Sequence, residues 1–233
     1  MVVNTVAMHM SDGIVNAPTS VLFGVIAIAA IGLCAVKARN ELDERTVPLA
    51  GLVAAFIFAV QMVNFPILPG VSGHLLGGAL AAILVGPYTG ALCIAIVLIV
   101  QSLLFADGGI TALGTNITNM SVVGVAAAYA TAVGLYAIAR RRTPDVPVAA
   151  LGVISFIAAL IGTVCAAMAF VVEYAIGGAG VTSLGAVATY MFGTHALIGV
   201  GEGLITAVTV MAVARSRPDL VYLMRGARAE VPA

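Results

Sequence analysis

The chain has three histidines, His9, His74 and His195, and these are the side chains best suited to hold a transition metal. His9 lies in the stretch "AMHMSDG", residues 7–13. Where Met8 carries a free amine, that amine, the His9 amide nitrogen and the His9 imidazole close two fused chelate rings on one ion. A deprotonated amide is a strong-field donor and suits an ion that accepts a square plane, which selects nickel(II) or copper(II). Zinc prefers a tetrahedron and fits poorly. One more nitrogen completes the plane, and His74 is the natural fourth donor, so the expected metal set is Met8, His9 and His74. A blander reading competes with it. A histidine on a terminal arm is ordinarily a solvated surface residue, and His74, between Gly73 and "LLGG", can be a buried histidine bonded to a carbonyl.

Other polar residues fall near these. The stretch "FADGGITALGTNITNM" (105–120) brings Asp107, two glycines and Asn116 into one loop. Asp107 can bind a cation through oxygen or pin the N-terminal arm through backbone amides. Pinning is the better fit, because nitrogens already fill the plane. His195 follows "GT" and is expected to open the last helix, where it caps or hydrogen-bonds as a support. Glu202 lies seven residues later on the same helical face. A carboxylate at membrane depth costs about 2.5–3.5 kcal/mol on insertion scales and usually faces the bundle interior. It reads as an interhelical tie to a polar group such as Gln61 or Gln101, with the glycines of "GVGEG" allowing close helix approach.

The elements that position these residues are apolar. The chain is 62% hydrophobic and 9% charged, against about 25% charge for a soluble domain, so most of its surface must face lipid. Net charge is zero, which points to no nucleic-acid partner. Cys34, Cys93 and Cys165 sit in apolar runs without metal or redox spacing. Residues 1–7 have no basic region and too short an apolar core for a signal peptide. Six long apolar runs, near 19–37, 47–64, 88–106, 118–139, 147–174 and 193–214, each approach the roughly 20 residues of a membrane crossing. A seventh, 74–86, is short; thirteen helical residues reach about 20 Å. "NFPILPGVSG" (64–73) supplies irregular chain that folds in to make up the depth, which is tolerated only inside protein or against a cavity. The expected fold is an all-α membrane bundle of about seven transmembrane helices.

Every Lys and Arg falls in three segments: Lys37, Arg39 and Arg45; Arg140, Arg141 and Arg142; Arg215, Arg217, Arg225 and Arg228. Seven crossings place all three on one side, which the positive-inside rule makes cytoplasmic. The N-terminus is then outside and the C-terminus inside. The outer face collects the His9 arm, the loop ending at His74, the 105–120 loop and the 175–195 stretch.

The segments "MHMSDG", "FAVQMVNFPILPGVSGHLLGGALAAILVGP" (58–87), "QSLLFADGGITALGTNITNM" (101–120) and "HALIGVGEGLIT" (195–206) resemble the substrate-capture component of energy-coupling factor transporters for nickel and cobalt. The resemblance runs from Met8 to about residue 215, and the "GHLLGG" and "FADGG" wording is similar to the nickel-type branch. It implies a seven-helix bundle in a bacterial or archaeal plasma membrane, with Ni2+ or Co2+ as the transported substrate. It implies ligation by the Met8 amine, the His9 amide and imidazole, and His74. Gln61, Asn64, Asp107, Asn116 and His195 are then supports of the arm. The implied partners are a membrane coupling protein, cytoplasmic ATP-binding subunits and a small two-helix accessory membrane protein. The family's chains begin at the Met-His pair, so residues 1–7 are expected to be an extension preceding the true start, 8–215 the metal-capture domain, and 216–233 a cytoplasmic tail. The chain carries no P-loop G-x-x-x-x-G-K-[ST], so its energy must come from another subunit.

Two other functions compete with this one. An intramembrane hydrolase using His195 and Glu202 lacks an H-E-x-x-H pair and a G-x-S-x-G elbow. A secondary transporter of a small organic solute would need charged or aromatic groups to hold it, and the chain has no Trp.

Overall fold

The computed structural model of the chain describes residues 9–63, 65–68, 71–180 and 182–228. Met8 and Asn64, and the expected extension at residues 1–7, lie outside these described residues. In chain order the elements are α1 (Ala17–Lys37), α2 (Thr46–Gln61), a hairpin of β1 (Phe65–Leu68) and β2 (Val71–Gly73), α3 (Gly78–Val85) and α4 (Pro87–Leu104). A rod over 113–142 follows, made of α5 (Leu113–Asn116), a π-helical stretch (Ile117–Gly124) and α6 (Val125–Arg142). Then come α7 (Val148–Gly177), α8 (Leu184–Ser216) and a short α9 (Tyr222–Arg228). The antiparallel hairpin is the one departure from helix among the described elements.

Local chemistry sets the helix ends. Asn16 caps α1 by accepting the Thr19 N–H at 3.0 Å, with Pro18 in the first turn and Lys37 in the last, as the polarity of a helix favours. Ser183 caps α8 through the Ala186 N–H. Five helical spans are long and apolar enough to cross a membrane: 17–40, 87–104, 113–142, 148–177 and 184–216. The apolar side chains Val21, Val25 and Ile28 of α1 stand exposed, as a lipid-facing helix requires. α2, with 16 residues, reaches about 24 Å, and α3, with 8, about 12 Å. Each of the seven expected segments contains a helix, but these two fall short of a full crossing.

α3 is the post around which the bundle is built. All eight of its residues are buried, and it touches α2, α4, α6, α7, α8 and α9. A helix apolar on every side is one surrounded by protein. Close backbone approach holds it: a Cβ at Gly90 of α4 would stand 2.9 Å from the Ala82 nitrogen. In lipid, such small-residue contacts supply the packing that drives helix association.

Three boundaries differ from expectation. The short helix begins at Gly78, not at residue 74, because the Leu76 and Gly77 N–H groups are taken by Glu202 and the Leu76 carbonyl by Gln61. The last helix begins at Leu184, so His195 lies inside it and caps nothing. The 105–120 loop ends where α5 begins, so Asn116 is helical.

The bundle has two distinct ends. At one, the arm over 9–16 lies beside the 107–116 segment and the end of α7. At the other, the turn after α1 meets the chain after α8, where Arg45 and Arg217 lie within 4.0 Å of Asp219, and Arg225 is 3.9 Å from Asp43.

Candidate metal centre

His9 and His74 face each other inside the protein, with ring centroids 4.4 Å apart and an interplanar angle of 48°. Each residue is 7% exposed, which removes both from the class of solvated surface histidines. Nδ1 of His74 lies 2.9 Å from the Leu75 carbonyl oxygen. A carbonyl only accepts, so the proton sits on Nδ1 and Nε2 carries the lone pair. Both ring nitrogens of His9 are buried without a hydrogen bond, though Nδ1 is 3.3 Å from Asp107 Oδ1. Leaving a buried polar atom unsatisfied costs about 1–3 kcal/mol, so such nitrogens mark a place built for a ligand.

The arm is held by its neighbours in sequence. Asn116 reads the backbone of Met10 on both sides, accepting its N–H at 3.3 Å and donating to its carbonyl at 3.2 Å. The Gly109 N–H donates to the same carbonyl at 2.9 Å. Asp12 Oδ1 accepts from the Thr111 N–H at 2.8 Å and the Thr111 hydroxyl at 2.5 Å. The hydroxyl bond to Thr111, above all, holds the Asp12 carboxyl below its ordinary range. The arm lies close on the loop: Gly108 has φ +91°, and a Cβ there would come within 2.9 Å of the His9 Cβ. Further along, Ala179 N–H donates to Ile14 at 3.0 Å and Asn16 N–H to Gly177 at 2.7 Å.

Of the residues expected at the site, the structure thus brings together His9, His74, Asp107 and Asn116. Asp107 Oδ1 lies 3.3 Å from Nδ1 of the His9 ring. Gln61 donates to the Leu76 carbonyl, two residues after His74, at 2.7 Å. His195 is within electrostatic reach of His74, but its Nδ1 is 2.9 Å from the Met191 carbonyl, one turn back in α8. Glu202 ties to neither Gln61 nor Gln101; its carboxylate accepts from the Leu76 and Gly77 N–H groups and from the Thr163 hydroxyl. Sequence reasoning missed Thr163, Asp12 and a second buried pair, Asn119 donating to Glu173 at 2.7 Å. Glu173 was findable, because a carboxylate within an apolar helix is rare and interior-facing. Among the described residues no group of three His, Cys, Asp or Glu side chains is placed to hold a metal. Two imidazoles alone make an incomplete set, so an ion held here needs donors other than these side chains.

Comparison with known proteins bears on what the site serves. A relative from Archaeoglobus fulgidus, named "Putative fused nickel transport protein NikMN", is 42% identical over 92% of this chain and 68% of its own length. "Cobalt transport protein CbiM" of Sorangium cellulosum is 30% identical over 92% of this chain and 94% of its own. A solved structure described as a truncated transition metal transporter superposes with a TM-score of 0.74 at 26% identity, covering 89% of this chain and 99% of that one. A family model described as the cobalt uptake substrate-specific transmembrane region matches residues 9–220. The organic-solute and hydrolase readings fall with that match. The chain belongs to this family, and is a multi-pass prokaryotic membrane protein that serves nickel or cobalt uptake as a transport component.

Proposed function

We propose that the chain captures a divalent nickel or cobalt ion between His9 and His74 as the substrate-binding component of an energy-coupling factor importer. The donors are the Met8 amine, the His9 amide nitrogen, the His9 imidazole and His74 Nε2. The observation that carries this reading is the facing pair of buried imidazoles, one with neither nitrogen in a hydrogen bond and the other with Nε2 left basic. Two side chains and two backbone nitrogens complete a square plane, which favours nickel(II) over zinc. The amine donor requires a chain that begins at Met8. The arm, the 105–112 loop and the His74 turn form the outer face, and the basic end is cytoplasmic by the positive-inside rule. Inward release is driven by cytoplasmic ATP-binding subunits through a membrane coupling protein, with a small two-helix accessory membrane protein beside the bundle. Asp107, Asn116 and Gln61 support the ligands; Asn64 and His195 are carried as supports by the family resemblance.

The test is Ni2+ titration of the purified chain by competition with a chromophoric chelator, beside a non-denaturing mass spectrum that reads the N-terminus and bound metal together. His74→Ala is expected to weaken Ni2+ by at least about 100-fold, beyond what loss of an outer support costs. Binding releases protons from the amide, so affinity falls in acid. Full binding by His74→Ala, or a flat acid profile, sinks the ligand set. A Met1 terminus with nickel retained removes the amine from it.

A further inference from the structure

We propose that Glu202 is the positioning residue for His74, acting through a single peptide unit. The inference rests on His74 being a metal ligand. The peptide that joins Leu75 to Leu76 is engaged at both edges. Its carbonyl lies 2.9 Å from His74 Nδ1, and its N–H donates to Glu202 Oε2 at 2.8 Å. The next peptide is held in the same way. Its carbonyl accepts from Gln61 Nε2 at 2.7 Å, and its N–H donates to Glu202 Oε1 at 3.0 Å. The Thr163 hydroxyl donates to Oε2 at 2.9 Å and fixes the carboxylate from α7. Glu202 thus grips two consecutive peptides of the non-helical turn that carries the histidine.

The arrangement orients and polarises together. Metal-bound histidines commonly donate their second nitrogen to a carboxylate or carbonyl, which fixes the ring and strengthens the donor atom. Here the carbonyl is itself part of a peptide whose N–H faces a carboxylate, and hydrogen bonds in series strengthen one another. Glu202 is also the missing cap of α3. The N-cap residue, Gly77, has no side chain to offer, and a negative group is favoured at that end of a helix. The carboxylate belongs to α8 and the histidine to the turn before α3, so any shift of α8 against α3 reaches the metal ligand through this contact.

The test is a double-mutant cycle on the full-length chain in detergent, read by Ni2+ affinity. Glu202→Gln places an amide N–H2 where two N–H donors and a hydroxyl need acceptors, and is expected to weaken Ni2+ about 10–100-fold. On a His74→Ala background the same substitution should cost less than about twofold further, because its effect runs through the histidine. The visible absorption of Ni2+ bound to Glu202→Gln should move toward that of His74→Ala. Thr163→Val, a milder change, is expected to show a smaller loss of the same pattern, and it carries the test alone should Glu202→Gln not fold. Wild-type affinity in folded Glu202→Gln or Thr163→Val overturns the proposal. So does an equal loss with and without His74. Wild-type affinity in His74→Ala is a different failure, since it removes the ligand assignment on which the proposal stands.

Discussion

Two buried glutamates hold the α3–α4 hairpin, one at each end, and they differ in what lies beside them. Glu202 reaches from α8 to the start of α3 and takes the N–H groups of Leu76 and Gly77. Glu41, just after α1, reaches the start of α4 and takes the N–H groups of Tyr88 at 3.2 Å and Thr89 at 2.6 Å. Both are nearly inaccessible, at 3% and 5% exposure. Both exploit the unpaired N–H groups of a helix start. One neighbour differs: Glu202 grips the turn bearing His74, whereas Glu41 sits at the basic end, away from any candidate ligand. The same device therefore grips the turn of a candidate ligand at one end and the framework at the other.

Breaking the framework end should cost stability and spare the metal. Gly86, between α3 and α4, has φ +102°, and a Cβ there would lie 2.5 Å from the Glu41 carboxyl carbon. Gly86→Ala is expected to lose about 3 kcal/mol through strain and expulsion of the cap, seen as a lowered melting temperature in detergent. Ni2+ affinity of the folded fraction should stay within about twofold of wild type. Glu41→Gln keeps the shape but turns one acceptor into a donor facing an N–H, and should cost about 1–3 kcal/mol with the same indifference in metal affinity. A loss of Ni2+ affinity matching that of Glu202→Gln would erase the distinction between the two ends.

The smallest effect belongs to the ligand end. Asp12→Ala removes the two Thr111 bonds to the arm and should weaken Ni2+ by about two- to fivefold, with less than about 1 kcal/mol of stability lost. Its pH behaviour separates it from the ligands. The folded Asp12 carboxyl is held low, chiefly by the Thr111 hydroxyl. A group depressed in the folded state stabilises it above the ordinary carboxylate range, and that stabilisation fades as pH falls through the depressed value. The Asp12 tie therefore persists from pH 7 to pH 5. Wild type and Asp12→Ala should lose Ni2+ in parallel across that window, and diverging curves would place Asp12 among the titrating donors.

Sequence and structure agree best where lipid is the neighbour. The run at 19–37 reads as a helix because a lipid-facing segment must satisfy its backbone internally and carry apolar side chains throughout, and α1 occupies Ala17–Lys37. Legibility fails where a partner from far along the chain sets the boundary. Four residues of the expected short helix, His74 to Gly77, are non-helical, and Glu202, more than a hundred residues away, takes the N–H groups of two of them, Leu76 and Gly77. No local pattern announces that contact. His195 misled through "GT", which reads as a helix start, while the true cap is Ser183. At the site, His9 and His74 were nameable from residue type and spacing of apolar runs. The peptide link from His74 to Glu202 was not, since backbone donors leave no mark in side-chain identity.

The ties of the arm have a further consequence for how it opens. Met10, Asp12, Ile14 and Asn16, every second residue, are each tied to the 109–116 segment or to the end of α7. Ordering these seven residues, 10 to 16, costs on the order of 10 kcal/mol of chain entropy, which the ties of the arm offset in the folded chain. Lifting the arm means parting several ties together, so the segment that carries His9 is expected to open as one cooperative unit, not residue by residue.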